Sequence, residues 1–373
     1  MGELQKSMNG SNDLLEEGKS LIEKIKVIKQ DAQKRRVKYR EEQLKRPISF
    51  WIKNDRLVNE IGKEFTIILR TRGCSWAISD HGGCSMCGYY LDANNEDVPV
   101  TNLINQFDYA FNNKINEIKQ DSNNFVFKLF NSGSFLDENE IPKKVRNYIY
   151  EKISKVEKFK DIVIESRMEY ITAEKLEEIR EFFEKKHFEI AIGLETVNDY
   201  IRNNYINKGV SFKDFKDALK RCKDHGIGVK VYLLFKPLFL NEQAAIDDCS
   251  NSIDILKSLG VNSISINPMN IQKGTLTEYL WFQNRYRPPW FYSLFKCIKK
   301  SVNEGGLNGI RILCDPSGAG TKRGIHNCLK RKCENSAKTI LKNFVLSQDI
   351  TELEKQEYEC TCKKKYNLTK NYY

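Results

Sequence analysis

The sequence predicts an α/β fold, a partial (β/α)6 TIM-like barrel, and two observations carry this. Apolar runs of five to seven residues recur after Pro47: FTIIL (65–69), FVFKLF (125–130), DIVIE (161–165), EIAIGL (189–194), VKVYLLF (229–235), SISIN (263–267), and GIRIL (309–313) as a candidate seventh. Between them lie amphipathic stretches such as EIPKKVRNYIYEKISKV, TAEKLEEIREFFEKK, SFKDFKDALKRCKDHG and EQAAIDDCSNSIDILKSLG. Strands covered on both faces read as continuous apolar runs, and helices alternating with them supply the cover of a parallel sheet. Six or seven such units make a barrel or an open part of one.

The N-terminal region has a different texture. Residues 13–46 read as a long charged helix, with Leu14, Leu15, Leu21, Ile22, Ile25 and Ile28 near helical spacing, followed by KRRVKYREEQLKR up to Pro47. From Lys24 to Arg46 there are ten Lys/Arg against three Asp/Glu, which fits either a solvated helix lying across the body or a basic arm facing RNA. The expected organisation is therefore a basic helical segment (1–47), the barrel (48–308), and a Cys-rich C-terminal extension (309–373). MGELQKSMNGSNDLLEEGKS has no apolar core, and no run of about 18 apolar residues occurs, so neither a secretory signal nor a membrane span is expected and a cytoplasmic location is. A formal charge of +11 with a pI of 8.9 favours a polyanionic partner.

Functional groups of such barrels collect just beyond the C-terminal ends of the strands. Polar or Gly/Pro clusters fall there repeatedly: RTRGC after the first run, NSGS after the second, ESR after the third, ET after the fourth, KP after the fifth and NPMN after the sixth.

Eleven cysteines in a reducing compartment point to metal ligands where they cluster. Cys222, Cys249 and Cys297 are isolated and read as core residues. RTRGCSWAISDHGGCSMCGYY puts Cys74, Cys84 and Cys87 in one Gly-rich loop, with nine and then two residues between them. Soft thiolates at this spacing select zinc or an iron-sulfur species. Three thiolates leave one iron of a cubane cluster open to a small molecule, whereas structural zinc takes four ligands, and His81 is available as a fourth. In the second group, Cys328, Cys333, Cys360 and Cys362 fit a four-thiolate zinc site tying the chain end to the barrel, with Cys314 and His326 as competing ligands and a second iron-sulfur cluster as the rival occupant. Nearby, Lys322, Arg323, Lys330, Arg331 and Lys332 make a basic surface suited to RNA.

A three-Cys loop directly after the first strand of a partial barrel resembles the radical S-adenosylmethionine (SAM) superfamily, and its wide spacing resembles the branch containing the catalytic subunit of Elongator. Together with FNSGSFLDENEIP, IESRMEYIT, IGLETVNDYIRNNYINKG, FKPLFLNEQAAI and INPMNIQKGT, the loop is similar to the archaeosine-biosynthesis radical SAM family, RaSEA, from about Arg70 to Cys362. The N-terminal helix lies outside the resemblance, and the cysteine spacing is wider than the superfamily's commoner one.

The resemblance implies a 4Fe-4S cluster on Cys74, Cys84 and Cys87, with SAM chelating the open iron. It implies that Asn131, Ser132, Gly133 and Ser134 hold the methionine amine, that Glu165, Ser166 and Arg167 contact ribose and carboxylate, and that Glu195 plays a similar polar role; helix capping is the competing role for Glu195. The implied activity is that of a lyase on tRNA: radical cleavage of the lysine carbon-nitrogen bond of a lysine-modified 7-deazaguanine, giving archaeosine, with an ArcS-type transferase as partner and an external electron donor. An Elongator-like enzyme acting on another RNA base, and a non-enzymatic zinc and RNA-binding protein, are the alternatives. In WFQNRYRPPWFYS, Arg285, Tyr286, Arg287 and Trp290 are candidates to face bases and phosphates, while Trp281, Phe282, Trp290 and Phe291 equally suit a core. Lys208–Gly209 and Lys236–Pro237 are candidate contacts to phosphate or carboxylate.

Overall fold

The computed structural model describes residues 20–303, 306–307, 309–355 and 359–372. Eight strands form one sheet in chain order: β1 (Ser49–Arg56), β2 (Ile61–Ile68), β3 (Phe125–Phe130), β4 (Phe159–Glu165), β5 (His187–Glu195), β6 (Gly228–Phe235), β7 (Ser263–Pro268) and β8 (Arg311–Leu313). All seven apolar runs become parallel strands, and β1 adds an antiparallel edge through the hairpin to β2. SFWIKNDR was not among the expected strands because an edge strand with one wet face carries no continuous apolar run; its residues are exposed or half-buried throughout. The Cys-rich extension expected from residue 309 thus begins with the last strand of the sheet.

Helices follow the strands: α1 (Leu21–Gln33), α2 (Val100–Gln120), α3 (Lys143–Ser154), α4 (Ala173–Phe182), α5 (Phe212–Asp224), α6 (Glu242–Ser258), α7 (Leu276–Phe282), α8 (Phe291–Asn303), α9 (Arg331–Ser347) and α10 (Cys362–Thr369). Local chemistry sets their ends. Ser211 starts α5 as a capping box, accepting from the Asp214 N–H (3.1 Å) while Asp214 accepts from the Ser211 N–H (2.7 Å), and beyond its end Gly226 takes the left-handed φ of +66°.

The predicted helix over 13–46 is shorter and broken. Residues 13–19 lie outside the described part, α1 ends at Gln33, and only a single turn, Glu41–Leu44, follows before Pro47. Nor is α1 simply solvated: Ile25, Lys29 and Ala32 are buried.

Alternate strand residues serve different layers. Phe125, Phe127 and Leu129 join the core under the helices, whereas Val126 packs with Val163 and Ala191 on the inner face. Much of the inner lining is charged. Lys128 bridges Asp55 (2.5 Å) and Glu64 (2.6 Å), Arg311 pairs with Glu189, and His187 Nε2 lies 3.0 Å from Glu189. Burial pushes the ammonium of Lys230, in the same layer, down to about 8, with Lys128 adding repulsion. Cys222, Cys249 and Cys297 are buried core residues.

Removing one member of a buried charge triad leaves its partners uncompensated. Lys128→Ala is expected to cost about 3–5 kcal/mol, read in urea unfolding as a lower midpoint at unchanged slope; a loss below about 1 kcal/mol would show that Asp55 and Glu64 do not depend on it.

Candidate active site

The Cys74–Cys87 loop leaves the C-terminal end of β2 and is held from every side. Gly73 and Gly83 take φ of +93° and +70°, and a Cβ on Gly83 would stand 2.7 Å from the Ala77 Cα, so the loop folds tightly over itself there. Ser85 is gripped by the chain after β5: a π-helical turn at Ile201–Tyr205 presents the Tyr205 and Ile206 carbonyls, which accept the Ser85 hydroxyl and N–H, both at 2.8 Å. Asn207 Nδ2 donates to the His81 and Gly83 carbonyls (2.9 Å each), and Trp76 Nε1 donates to the Asn207 carbonyl (2.9 Å). After β7, Gln272 accepts the Gly88 N–H at 2.5 Å. Over the outside lies α1, with Ile25 in the cluster that holds Cys84, and Ala32 in the cluster that includes Cys74.

The segment after β3 meets Cys74 directly. A Cβ on Gly133 would lie 2.6 Å from the Cys74 Cα and 2.1 Å from Glu140 Oε2, so only glycine lets the two loops touch. Glu140, not singled out from the sequence, ties them: one oxygen accepts the Thr71 hydroxyl and the other the Ser134 N–H (2.7 Å). Burial pushes this carboxyl up to about 7, and the two hydrogen bonds pull the other way. Ser134 is fully engaged within the chain, since its hydroxyl accepts the Arg167 N–H at 3.0 Å. Asn131 is buried beside Glu140, yet neither polar atom of its amide makes a hydrogen bond of ordinary geometry.

After β4, Arg167 is buried with its guanidinium 5.2 Å above the Trp76 ring; Nη2 donates to the Lys208 carbonyl (3.0 Å) and Nε to Glu169. Burial also pushes up the Glu165 carboxyl, while Tyr232, Lys230 and Lys208 draw it down. Ser166 is buried, its hydroxyl 3.1 Å from the Arg167 carbonyl. Glu195 stands at a β-bulge with φ of +70°, a conformation a non-glycine residue holds only where its surroundings fix it. Lys208 Nζ fixes it, 2.8 Å from Glu195 Oε1, so Glu195 faces inward to a half-buried lysine and does not cap a helix. The charges of Arg167, Lys208 and Glu195 thus gather around the thiols. Burial pushes Cys74 up to about 11 and Cys84 upward as well, with Arg167 opposing it at Cys74 and Lys208 at Cys84. His81 is exposed and stacks on Trp76 at 4.5 Å between ring centroids.

The second cysteine group is a separate site. The sulfurs of Cys328, Cys333, Cys360 and Cys362 lie within 4.8 Å of one another, the one such gathering of metal-ligand side chains among the described residues. Trp290, Tyr292 and Tyr366 enclose it. Neither competing ligand takes part: Cys314 is buried in the main core, and His326 Nδ1 lies 2.8 Å from the Gly324 carbonyl, with burial pushing its imidazole down to about 4.

The aromatic segment offers RNA less than expected. Tyr286 and Trp290 are buried, the Tyr286 hydroxyl donating to the Lys236 carbonyl (2.7 Å), and Arg287 Nη2 serves the His326 and Asn327 carbonyls at 2.8 Å. Phe291 is core, whereas Arg285 and Phe282 are exposed, Phe282 at the edge of a cavity of about 490 Å³ that also reaches Lys322 and Lys365. Lys236 is buried against Glu242 at 2.6 Å.

The model of the radical SAM superfamily matches residues 68–249. An uncharacterised protein of Methanocaldococcus jannaschii, MJ0550, is 42% identical over 86% of each chain. The archaeosine synthase subunit beta of Methanosarcina acetivorans is 36% identical over 88% of this chain and 91% of its own, and that of Thermococcus kodakarensis 37% identical over 84% and 94%.

Glu140 gives a pH signature. Its folded value of about 7 lies above the ordinary 4.5, so the folded state binds the proton more tightly. The stability this contributes is present below about pH 4.5 and is lost as pH rises through about 7. Unfolding of Glu140→Gln, compared at about pH 5 and about pH 8 with wild type, is expected to lack this component, on the order of a few kcal/mol; equal pH dependence in both proteins would remove Glu140 as its source.

Proposed function

This chain belongs to the radical SAM superfamily, in the group that contains the archaeosine synthase beta subunits, and on that premise we propose that it is a lyase of tRNA modification, cleaving the lysine carbon-nitrogen bond of a lysine-modified 7-deazaguanine to give archaeosine. The observation that carries the reading is the meeting at one end of the barrel of three loop thiols with the loops that follow β3, β4 and β5. An ArcS-type transferase is its partner, as the name "subunit beta" of the relatives suggests. No helix among the described residues is long and apolar enough to cross a membrane.

The donor set fits a 4Fe-4S cluster: three thiols lie on one loop, and the charges of Arg167 at Cys74 and Lys208 at Cys84 oppose the burial that raises those two. The buried, unsatisfied Asn131 amide and the Cβ-free surface of Gly133 fit the methionine end of SAM. Bound there, cluster and SAM supply a 5′-deoxyadenosyl radical by reductive cleavage, with one electron from an external donor, and that radical takes hydrogen from the substrate.

The chain's own residues do the rest. Gly133 lets the ligand lie against backbone, and Ser134 and Glu140 hold that segment to the cysteine loop. Arg167 presents the guanidinium suited to a carboxylate, on a side chain already oriented by Trp76 and Glu169. Glu165 and Glu195 offer acceptors for sugar hydroxyls, and Lys208 fixes the second of them. The four remaining thiolates hold zinc, which fastens α10 to the barrel; around them Lys330, Arg331, Lys332, Lys363 and Lys364 are exposed and suited to RNA phosphates.

The decisive measurement is incubation of anaerobically reconstituted protein, SAM and reductant with lysine-modified tRNA. Archaeosine together with 5′-deoxyadenosine is expected, and neither should form with Cys84→Ser, which should also lose the visible absorbance; SAM cleavage with unchanged tRNA would leave the superfamily assignment and remove the substrate. Cys360→Ser is expected to release zinc and expose the C-terminus to protease; an unchanged zinc content by elemental analysis would reject the four-thiolate site.

A further inference from the structure

Lys29 sits in the middle of α1 and is 1% exposed. Its ammonium donates to the Cys87 carbonyl and lies 4.1 Å above the ring of Tyr90. Tyr90 is itself fully buried, with its hydroxyl on the Gly274 carbonyl at 3.2 Å. Two of the other buried lysines have acidic partners: Lys236 has Glu242 at 2.6 Å, and Lys128 has Asp55 and Glu64. Among the described residues no carboxylate pairs with Lys29; burial pushes its ammonium below the ordinary lysine value, and the acidic groups that act against this are the thiols of Cys87, Cys84 and Cys74.

A carbonyl and a ring face do not replace a counter-ion. Cation–π contact recovers only part of what an unpaired buried ion loses on leaving water. The packing of α1 nonetheless keeps the ammonium in place, with Ile25 and Ile28 in the cluster that holds Cys84, Met86 and Cys87, and Ala32 beside Cys74. The helix also lies outside the 68–249 segment shared with the wider superfamily.

We infer that Lys29 is a positioning residue for the iron-sulfur cluster, its ammonium serving as the buried counter-ion of the three-thiolate site and favouring the reduced cluster over the oxidised one. The inference rests on the reading of Cys74, Cys84 and Cys87 as the cluster ligands. On reduction the cluster gains one electron and one negative charge, no bond forms or breaks, and the electron comes from a low-potential donor, dithionite in the test below. A fixed cation held on the Cys87 carbonyl attracts the reduced site, with its extra negative charge, more than the oxidised one, and second-sphere charge and hydrogen bonds are the usual levers on such potentials.

The test is the midpoint potential of the reconstituted full chain, titrated anaerobically with dithionite and followed by electron paramagnetic resonance, in wild type, Lys29→Gln and Lys29→Met. Glutamine keeps a donor for the Cys87 carbonyl without the charge, and methionine keeps neither. Both are expected to lower the potential, by the equivalent of about tenfold in the reduction equilibrium, ~59 mV for one electron. An unchanged potential in Lys29→Gln at full iron content overturns the inference, because a purely structural hydrogen bond survives that substitution. Absence of iron from the wild type would instead defeat the cluster reading itself. Where neither variant takes up iron, wild-type hydrogen exchange over residues 21–33 decides: faster exchange in cluster-free protein is expected, and equal exchange with and without the cluster overturns the inference.

Discussion

The contact on which the site depends is the one between the backbones of Cys74 and Gly133. There is no room for a side chain between them, and Glu140 closes the junction by accepting from Thr71 on one loop and Ser134 on the other. Two consequences follow. The first cysteine is placed by β3 as much as by β2, so the loop's position is inherited from strand register, a rigid quantity. And the Glu140 carboxyl is buried within this junction, so burial dominates its acidity despite the hydrogen bonds it accepts.

Charge is the second organising theme. The inner face of the barrel carries Lys128, Glu64, Glu189 and Arg311 where aliphatic layers would serve for packing alone. These groups lie within their strands, beneath the site, and are paired among themselves. At the opposite end, Lys208 pairs with Glu195, while Arg167 spends its donors on Glu169 and a backbone carbonyl and keeps one face over Trp76. The lower charges satisfy one another; the upper ones are oriented but look toward thiols.

What could be read in the sequence divides along the same physical line. Parallel strands buried on both faces announce themselves as apolar runs, so β2 to β8 and the residues at their ends were legible, as was the separation of two cysteine groups. Local pattern failed where long-range contact decides. β1 was hidden because half of it is wet; α1 was extended too far because charge and periodicity continue past Gln33 although the helix does not. Tyr286 and Trp290 offered the composition of a nucleic-acid surface, and only tertiary packing shows them buried. Glu140 and Asn207 lay within motifs already conspicuous, FNSGSFLDENEIP and IGLETVNDYIRNNYINKG, but nothing in spacing distinguishes a glutamate that ties two loops from one that faces water.

The two cysteine groups differ in what holds them in place. The loop of Cys74, Cys84 and Cys87 is supported by α1, the π-helical turn after β5 and Gln272 after β7, so its shape does not rely on what the thiols bind. The C-terminal four are the reverse case. α10 is eight residues long, too short to persist by itself, and its buried positions are few: Cys362 and Tyr366. A segment with so little apolar surface needs another source of binding energy, and four thiols within 4.8 Å supply the geometry for one. The chain between β7 and α8 touches both regions, through Gln272 before α7 at the cysteine loop and through Arg287 after it, whose guanidinium lies 3.7 Å over Trp290 beside the four thiols. One stretch of chain therefore links the C-terminal thiols to the end of the barrel that carries the cysteine loop.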